Sequence, residues 1–266
     1  MRVLLVAATE MEIMPLIEQG IYQHTNVTVI ITGVGVINTA HSLTKAIEAQ
    51  KTDIIIQAGI GGAFESAGID VGDIAVAKSD RYIHTGVEHH DFRLSSNIHG
   101  HTPRPGEFYN SPLPFPHTGG YDNSPLSFTQ HVGYPNDPLP FDLVKDQPES
   151  REGLFFLDSD LTGKSKYIIK NNLSKKSLRY KIISGDFLTV STITATSRTK
   201  DALIQAFLPC MESMEGAAAA HVASLYNIPF IEIRAASNLV GIRNKSDWNI
   251  PLAVERVCLA LNALLP

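Results

Sequence analysis

The sequence predicts an α/β protein whose central sheet is mixed, mostly parallel, and flanked by helices. Short β-branched apolar runs alternate with segments of helical periodicity in the first and last parts of the chain. Most of these runs are apolar on both faces, which is typical of parallel strands covered by helices on two sides. A Pro/His-rich segment interrupts the pattern, so we predict one domain, residues 1–266, with an irregular insertion at 94–151.

The elements follow from this alternation in chain order. In the first part the predicted strands are RVLLVAA, VTVIITG, DIIIQAGIGG and DIAVAKSDRYIH, and the predicted helices are EMEIMPLIEQG and NTAHSLTKAIEAQ. The last part adds the strands YKIISGDFLTVS and PFIEIRAASN, and the helices TSRTKDALIQAF, MESMEGAAAA and NIPLAVERVCLALNALL. The alanine run of MESMEGAAAA would let its helix pack very closely against the sheet.

The insertion carries a repeat. YNSPLPF, YDNSPLSF and YPNDPLPF place Pro112, Pro125 and Pro138 at a constant interval of 13 residues. Asn-Ser-Pro and Asn-Asp-Pro favour turns, and a residue before proline prefers an extended conformation. A loop this long is either tolerated on the surface or functional. We interpret it as a duplicated surface insertion, with a substrate lid or a subunit contact as the alternative.

Composition excludes several classes of function. The net charge of −5, from 22 basic and 27 acidic residues, gives no basic surface for nucleic acid or an anionic membrane. The N-terminal apolar run is too short for a secretory signal, and no later run is long enough to span a membrane. Two cysteines without metal spacing suggest the cytoplasm, and the pairs in EHH and HGH are interpreted as solvated loop histidines.

Two glycine turns follow predicted strands. GVGVIN has Asn38 where a dinucleotide fingerprint needs its third glycine, and GIGGAF lacks the Gly-Lys-Ser/Thr of a phosphate-binding loop. These turns instead bring backbone close to a ligand at the carboxyl ends of the strands.

Two pairs of carboxylates are candidates for acid–base chemistry. Glu10 and Glu12 follow the first strand, and either is a possible general base or a complement to a helix N-terminus. Glu212 and Glu215 are three residues apart near the predicted start of the alanine-rich helix. Acidic residues are ordinary in a first helical turn, so this spacing alone does not separate packing from function.

Several motifs together resemble the nucleoside phosphorylase and nucleosidase superfamily of the purine nucleoside phosphorylase and methylthioadenosine nucleosidase type. They are TGVGVINTA, AGIGGAF, GIDVGDIAVAKSDRY, ISGDFL and SMEGAAAAHVASLYNIPFIEIRAASN, in that order. The resemblance covers about 1–94 and 180–266 and leaves out the insertion. The ending RAASNLVGIRNKSDWNI is most similar to the menaquinone-pathway branch of that family.

The resemblance implies cleavage of an N-glycosidic bond without a metal or an organic cofactor. Glu12 matches the glutamate that activates water, Glu215 the glutamate that binds the ribose hydroxyls, and Met214 the methionine against the sugar. The further substrate-binding residues implied by the family motifs are Gly33, Ile60, Phe187 and Ser213. Ile60 departs from the adenine-directed nucleosidases, which usually have serine there.

Asn238 is the most informative departure. The adenine-specific members have aspartate at the matching position, which can donate to N7 and accept from the 6-amino group. An amide instead donates from its NH2 to N7 and to the O6 of a 6-oxopurine. Together with the resemblance, Asn238 therefore predicts hypoxanthine as the leaving group. Taken without its neighbours, Asn238 would be an ordinary strand-ending turn residue.

Water is the predicted nucleophile, because the carboxylates of AATEMEIMP would repel the phosphate that phosphorylases bind. The menaquinone-pathway substrate also carries a benzoate, for which Arg243 beside Trp248 is the candidate, followed by Arg81, Arg93 and Arg104. Arg243 as a plain surface residue is the alternative. The resemblance implies a homodimer and a small nucleoside substrate. Another purine nucleosidase or phosphorylase, or a nucleoside-binding protein without turnover, remains open at this point.

Overall fold

The structure is a computed structural model that describes residues 1–86, 136–174, 180–241 and 244–265. Most of the predicted insertion, including two of the three repeat copies and the histidines of EHH and HGH, lies outside the described residues. Among the described residues no helix is long and apolar enough to cross a membrane.

Each predicted strand is present, and two short strands were not predicted. The strands are β1 (Val3–Ala7), β2 (Val27–Ile31), β3 (Ile54–Ala63), β4 (Ile74–Tyr82), β5 (Leu154–Phe156), β6 (Ile182–Thr189), β7 (Met211–Ser213) and β8 (Phe230–Leu239). β5 and β7 have three residues each, which is too short for an alternation pattern to be recognised.

The helices are α1 (Glu10–Glu18), α2 (Val36–Ala49), α3 (Ser159–Leu173), α4 (Ser197–Phe207), α5 (Gly216–Leu225) and α6 (Ile250–Leu264). Among the α-helices of the described residues, α3 is the one that the sequence did not predict. Asp158 is an N-cap residue of a type that indicates a helix start. Its side chain accepts a hydrogen bond from the Leu161 amide at 2.8 Å. Ile169 and Leu173 then form the buried face of α3.

The sheet confirms the predicted mixed, mostly parallel class. Parallel pairs join β1 with β2 and β3, β3 with β8, and β6 with β4 and β7. Antiparallel pairs join β3 with β7 and β4 with β5 and β8. Because β8 pairs with both β3 and β4, the strands β3, β8, β4, β6 and β7 form a closed ring.

Helices cover both faces of the sheet. Along β1, Leu5 packs in a core with α1, α3 and α6, whereas Leu4 packs on the other side with α2 and α5. The alternation of β1 therefore places consecutive side chains in two separate cores.

The prediction of a helix beginning at Met211 is wrong. Residues Met211–Ser213 form strand β7, which pairs with β3 and β6, and α5 begins only at Gly216. Pairing on both sides outweighs the local helical preference of these residues, which is a tertiary effect. Beyond them, Ala217–Ala220 are almost completely buried, and α5 lies close against the strands.

Candidate active site

A cavity of about 260 Å³ opens at the carboxyl ends of β1, β3 and β8. The segment from β7 into α5 forms another side of it. The residues around it are Ala8, Thr9, Met11, Glu12, Val34, Ile60, Gly61, Gly62, Val190, Ile193, Glu212, Ser213, Met214, Glu215, Ser237, Asn238, Trp248 and Ile250. Most of these side chains are apolar, and a few polar groups converge among them, which is typical of a small-molecule site.

Glu12 is fixed by hydrogen bonds from two directions. Its Oε2 accepts from the Thr9 amide at 2.9 Å and from the Thr9 hydroxyl at 3.1 Å, and its Oε1 accepts from the Ile60 amide at 3.0 Å. Residue Glu12 is only 5% exposed, and this burial raises the pKa of Glu12, while Arg234 opposes the shift. A carboxylate with a raised pKa that borders a cavity is suited to accept a proton near neutral pH.

Arg234 is a buried cation behind the cavity. Its Nε donates to Glu232 Oε1 at 2.9 Å, and its guanidinium lies 3.3 Å from Glu215 Oε2 and 4.0 Å from Glu12 Oε1. Burial lowers the pKa of Arg234, but the three carboxylates outweigh it and hold the pKa above its ordinary value. Arg234 therefore links both cavity glutamates to one fixed positive charge.

Gly59 makes this approach possible. A Cβ at residue 59 would contact Glu12 Oε1 and would lie 2.7 Å from a guanidinium nitrogen of Arg234. Only glycine leaves room for the carboxylate and the guanidinium to meet over the β3 backbone.

Glu215 lies at the junction between β7 and α5. Its Oε1 accepts a hydrogen bond from the Gly35 amide at 3.0 Å, in the turn after β2. The neighbouring Ser213 hydroxyl is buried and has no hydrogen-bond partner among the described residues. A carboxylate and a hydroxyl on one wall of the cavity can bind the vicinal hydroxyls of a sugar.

Behind Arg234, Asp80 and Glu232 form a completely buried acidic pair. Both side chains are 0% exposed. Asp80 Oδ1 accepts from the Thr189 hydroxyl at 2.9 Å, and that hydroxyl accepts from the Ala217 amide at 2.7 Å. Burial raises the pKa of Asp80 well above its usual range, and the adjacent Glu232 raises it further. Burial and the facing carboxyl therefore favour a proton on this pair, while the neighbouring Arg234 opposes it.

Asn238 closes the cavity at the end of β8. Its Oδ1 accepts from the Ser237 hydroxyl at 2.8 Å, and its Nδ2 donates to the Leu239 carbonyl at 3.2 Å. An amide nitrogen carries two hydrogens, so Nδ2 has a second one to donate.

Six predicted site residues line the cavity: Glu12, Ile60, Ser213, Met214, Glu215 and Asn238. Gly33 does not line it; its neighbour Val34 does, and the Gly35 amide makes the contact with Glu215. Phe187 is also absent from the lining. It is buried in the core on the α2 and α5 side and borders a second cavity.

The predicted benzoate residues are placed elsewhere or not described. Arg243 lies outside the described residues, as do Arg93 and Arg104. Arg81 borders the second cavity, where it donates to the Glu152 carboxylate at 3.0 Å. Trp248 does line the first cavity.

Arg234 was not predicted as a site residue, and Glu212 lies in a strand rather than at the predicted helix start. An arginine inside an apolar strand, as in FIEIRAAS, indicates a buried ion pair, because arginine is almost never fully buried unless it is paired. Glu212 was assigned to a helix start, whereas it lies in β7 and lines the cavity. The charged side chains among the described lining residues are all carboxylates, and the described residues hold no cluster suited to a metal ion.

Residues 14–266 match the Phosphorylase superfamily, and the chain belongs to that family. Two curated relatives are futalosine hydrolases, from Streptomyces coelicolor, 37% identical over 84 residues, and from Acidothermus cellulolyticus, 36% identical over 83 residues. Each match covers 31% of this chain and spans about a third, 35% and 34%, of the relative's own length.

Solved structures show the same fold over nearly the whole chain. The futalosine hydrolase of Helicobacter pylori 26695 has a TM-score of 0.66 at 14% identity, covering 99% of this chain and 97% of that one. A methylthioadenosine/S-adenosylhomocysteine nucleosidase from Colwellia psychrerythraea, in complex with adenine, has a TM-score of 0.65 at 19% identity, covering 99% and 94%.

Proposed function

We propose that this protein is a futalosine hydrolase, which cleaves the N-glycosidic bond of futalosine with water and releases hypoxanthine for menaquinone biosynthesis. The observation that carries the proposal is the convergence of Glu12, Glu215 and Asn238 on one cavity. The similarity to two curated futalosine hydrolases, each over about a third of its own length, supports futalosine as the substrate.

In the proposed reaction the bond between the ribose C1′ and the purine N9 breaks, and its electron pair leaves with the base. Positive charge then develops on the sugar and negative charge on the purine. Glu12 takes a proton from the water whose oxygen attacks C1′. Its three donors orient the carboxylate before substrate binds.

Glu215 is proposed to bind the ribose hydroxyls, and its negative charge also stabilises the cationic sugar of the transition state. Met214 is proposed to pack against the sugar face. At the other end of the substrate, the second Nδ2 hydrogen of Asn238 is proposed to be shared between N7 and O6 of hypoxanthine and to stabilise the electron pair that the base receives.

Water rather than phosphate is the proposed nucleophile. The lining residues Glu12, Glu212 and Glu215 place three carboxylates at one small cavity. The nearby Arg234 is already surrounded by carboxylates and is buried behind the wall. A phosphate dianion would meet repulsion without a free cation among the described lining residues.

The test is an assay of the purified protein with futalosine, aminofutalosine, inosine and methylthioadenosine, each with and without phosphate, in which the released base is identified. We expect hypoxanthine from futalosine, at a rate that phosphate does not change. Release of adenine without hypoxanthine would contradict the assignment of Asn238. A rate that requires phosphate would contradict hydrolysis.

The resemblance to the family further suggests a homodimer in the cytoplasm, and light scattering on the purified protein measures the assembly directly.

A further inference from the structure

Glu212 is a buried carboxyl that the proposed reaction leaves without a role. Its side chain is 5% exposed and lines the cavity. Oε1 accepts a hydrogen bond from the Thr194 amide at 3.1 Å, whereas Oε2 has no hydrogen-bond partner among the described residues. A buried carboxyl oxygen without a partner is costly, so its presence at a cavity indicates a ligand that supplies the missing donor.

Three neighbouring strands place Glu212 beside Asn238. Gly62 of β3 pairs with Glu212 of β7 on one side and with Asn238 of β8 on the other. Side chains of directly paired residues lie on the same face of a sheet. A Cβ built on Gly62 would lie 3.3 Å from both Glu212 Cγ and Asn238 Nδ2. The carboxyl and the amide therefore flank one glycine in the wall of the cavity.

The edge of a 6-oxopurine presents three groups in order, the N7 acceptor, the O6 acceptor and the N1–H donor. An amide hydrogen shared between N7 and O6 leaves N1–H as the next group along the ring. In a 6-aminopurine N7 still accepts, but the next two groups exchange their roles, because the 6-amino group donates and N1 accepts. A carboxylate beside the amide thus matches the first base and mismatches the second.

We infer that Glu212 is a second base-recognition residue, whose carboxylate accepts the N1–H of a 6-oxopurine held by Asn238. The inference rests on the proposed function for the position of the base. The terminal torsion of a glutamate side chain is broad, so rotation about the last bond can present either oxygen to the ring.

Hydrogen bonds to Glu212 favour the carboxylate that this role requires. Burial raises the pKa of Glu212, while hydrogen bonds from the Thr194 hydroxyl and amide oppose the shift and favour the carboxylate. A third donor from the base would favour the carboxylate further. Glutamine at this position keeps an acceptor for Thr194 but gains an NH2, which suits the N1 acceptor of adenine.

The experiment is titration calorimetry of free hypoxanthine, 1-deazahypoxanthine and adenine against the wild type, Glu212→Gln and a matched control, Glu65→Gln. Glu65 is exposed and does not line the cavity, so its change removes the same charge elsewhere. We expect Glu212→Gln to weaken hypoxanthine about 10- to 100-fold, as for loss of a hydrogen bond to a charged group. Adenine should bind Glu212→Gln as well as or better than the wild type, and Glu65→Gln should change neither base.

The analogue 1-deazahypoxanthine tests the contact without a variant, because it has C–H in place of N1–H at nearly the same shape. The wild type should bind it at least about 10-fold more weakly than hypoxanthine, and the difference should largely vanish in Glu212→Gln. Equal binding of the two bases by the wild type overturns the inference, as does equal weakening of hypoxanthine and adenine in the variant.

The two proposals fail in different ways. If futalosine is not cleaved but hypoxanthine discrimination depends on Glu212, the proposed function fails and the recognition of a 6-oxopurine stands. If futalosine is cleaved and Glu212→Gln leaves the preference for hypoxanthine unchanged, only the role of Glu212 is overturned.

Discussion

Glu12 belongs both to a helix start and to the cavity. The Thr9 amide and hydroxyl hold it as the third residue of α1, and the Ile60 amide ties it to β3. The two interpretations of this carboxylate from the sequence, helix capping and acid–base chemistry, are therefore compatible. A side chain with three fixed donors loses little freedom when it orients a water molecule.

Glu12→Gln tests the proposed base. The amide keeps a similar shape but cannot take a proton from water, so we expect kcat for futalosine to fall by about 10²- to 10⁴-fold. Calorimetric binding of hypoxanthine should change little. In the wild type, kcat/KM should fall as the pH drops through the raised pKa of Glu12, because the base must be ionised. Retained turnover in Glu12→Gln would exclude this residue as the base.

Some residues around the cavity were predictable and others were not. Glu12, Glu215 and Asn238 each stand in a short motif whose resemblance to the family is visible in the sequence. Arg234 and Glu212 are placed by pairing between distant strands, since β7 and β8 both lie against β3. Hydrophobic periodicity describes one segment at a time, and it does not report which strands become neighbours.

At the scale of single elements, α5 depends on the absence of a side chain at its first residue. A Cβ on Gly216 would contact Asp80 Oδ2 and both carboxyl oxygens of Glu232. The glycine lets the start of the helix lie directly on the buried acidic pair. The hydrogen bond from the Ala217 amide to Thr189 fixes it there at 2.7 Å.

Gly216→Ala is expected to destabilise the protein by at least about 1–3 kcal/mol, because the methyl group overpacks a buried polar cluster. The matched control is Gly163→Ala in α3, where a Cβ meets nothing within 4 Å. This control should stabilise the protein by about 0.5–1 kcal/mol through helix propensity. Urea unfolding measures both, and equal effects of the two substitutions would contradict the packing argument.

The bounds of the helices and strands also depend partly on local sequence and partly on pairing with distant strands. The long strands and helices were predicted because their periodicity is strong, but β7 was predicted as helix. The three residues of β7 adopt extended structure because partners on both sides require it. The alanines that follow do form a helix, and their burial explains why small side chains are needed there.

At the scale of the molecule, strands of the closed ring carry buried charged groups. Asp80 comes from β4, and Glu232 and Arg234 come from β8, which pairs with β4. All three are essentially inaccessible to water, with at most 1% of the side chain exposed. Removing charges from water is costly, so this cluster contributes to the position of Arg234 rather than to net stability.

Asp80→Asn is expected to stabilise the fold increasingly as the pH rises. Below about pH 4 the Asp80 carboxyl is protonated in the folded and the unfolded chain alike. Above about pH 4 the Asp80 carboxyl of the unfolded chain loses its proton. In the folded protein the raised pKa of Asp80 retains that proton. The free energy of unfolding of the wild type therefore falls as the pH rises toward the folded pKa, by at most about 1.4 kcal/mol per pH unit from this group.

Asparagine carries no titrating proton, so the difference in unfolding free energy between Asp80→Asn and the wild type should grow with pH. Chemical unfolding between pH 4 and pH 8 measures that difference. Asp201→Asn, at an exposed position of α4, should differ from the wild type by less at each pH. A difference for Asp80→Asn that does not change with pH would mean that folding takes up no proton at this pair.

The closed ring is completed by a strand from the last part of the chain. β8 is the last described strand along the chain, and it closes the ring by pairing directly with both β3 and β4. A chain that ends before β8 contains Glu12 and Glu215 but lacks Arg234 and Asn238. A chain released before residue 230 therefore lacks part of the cavity wall. Catalytic activity is expected only in chains that contain β8.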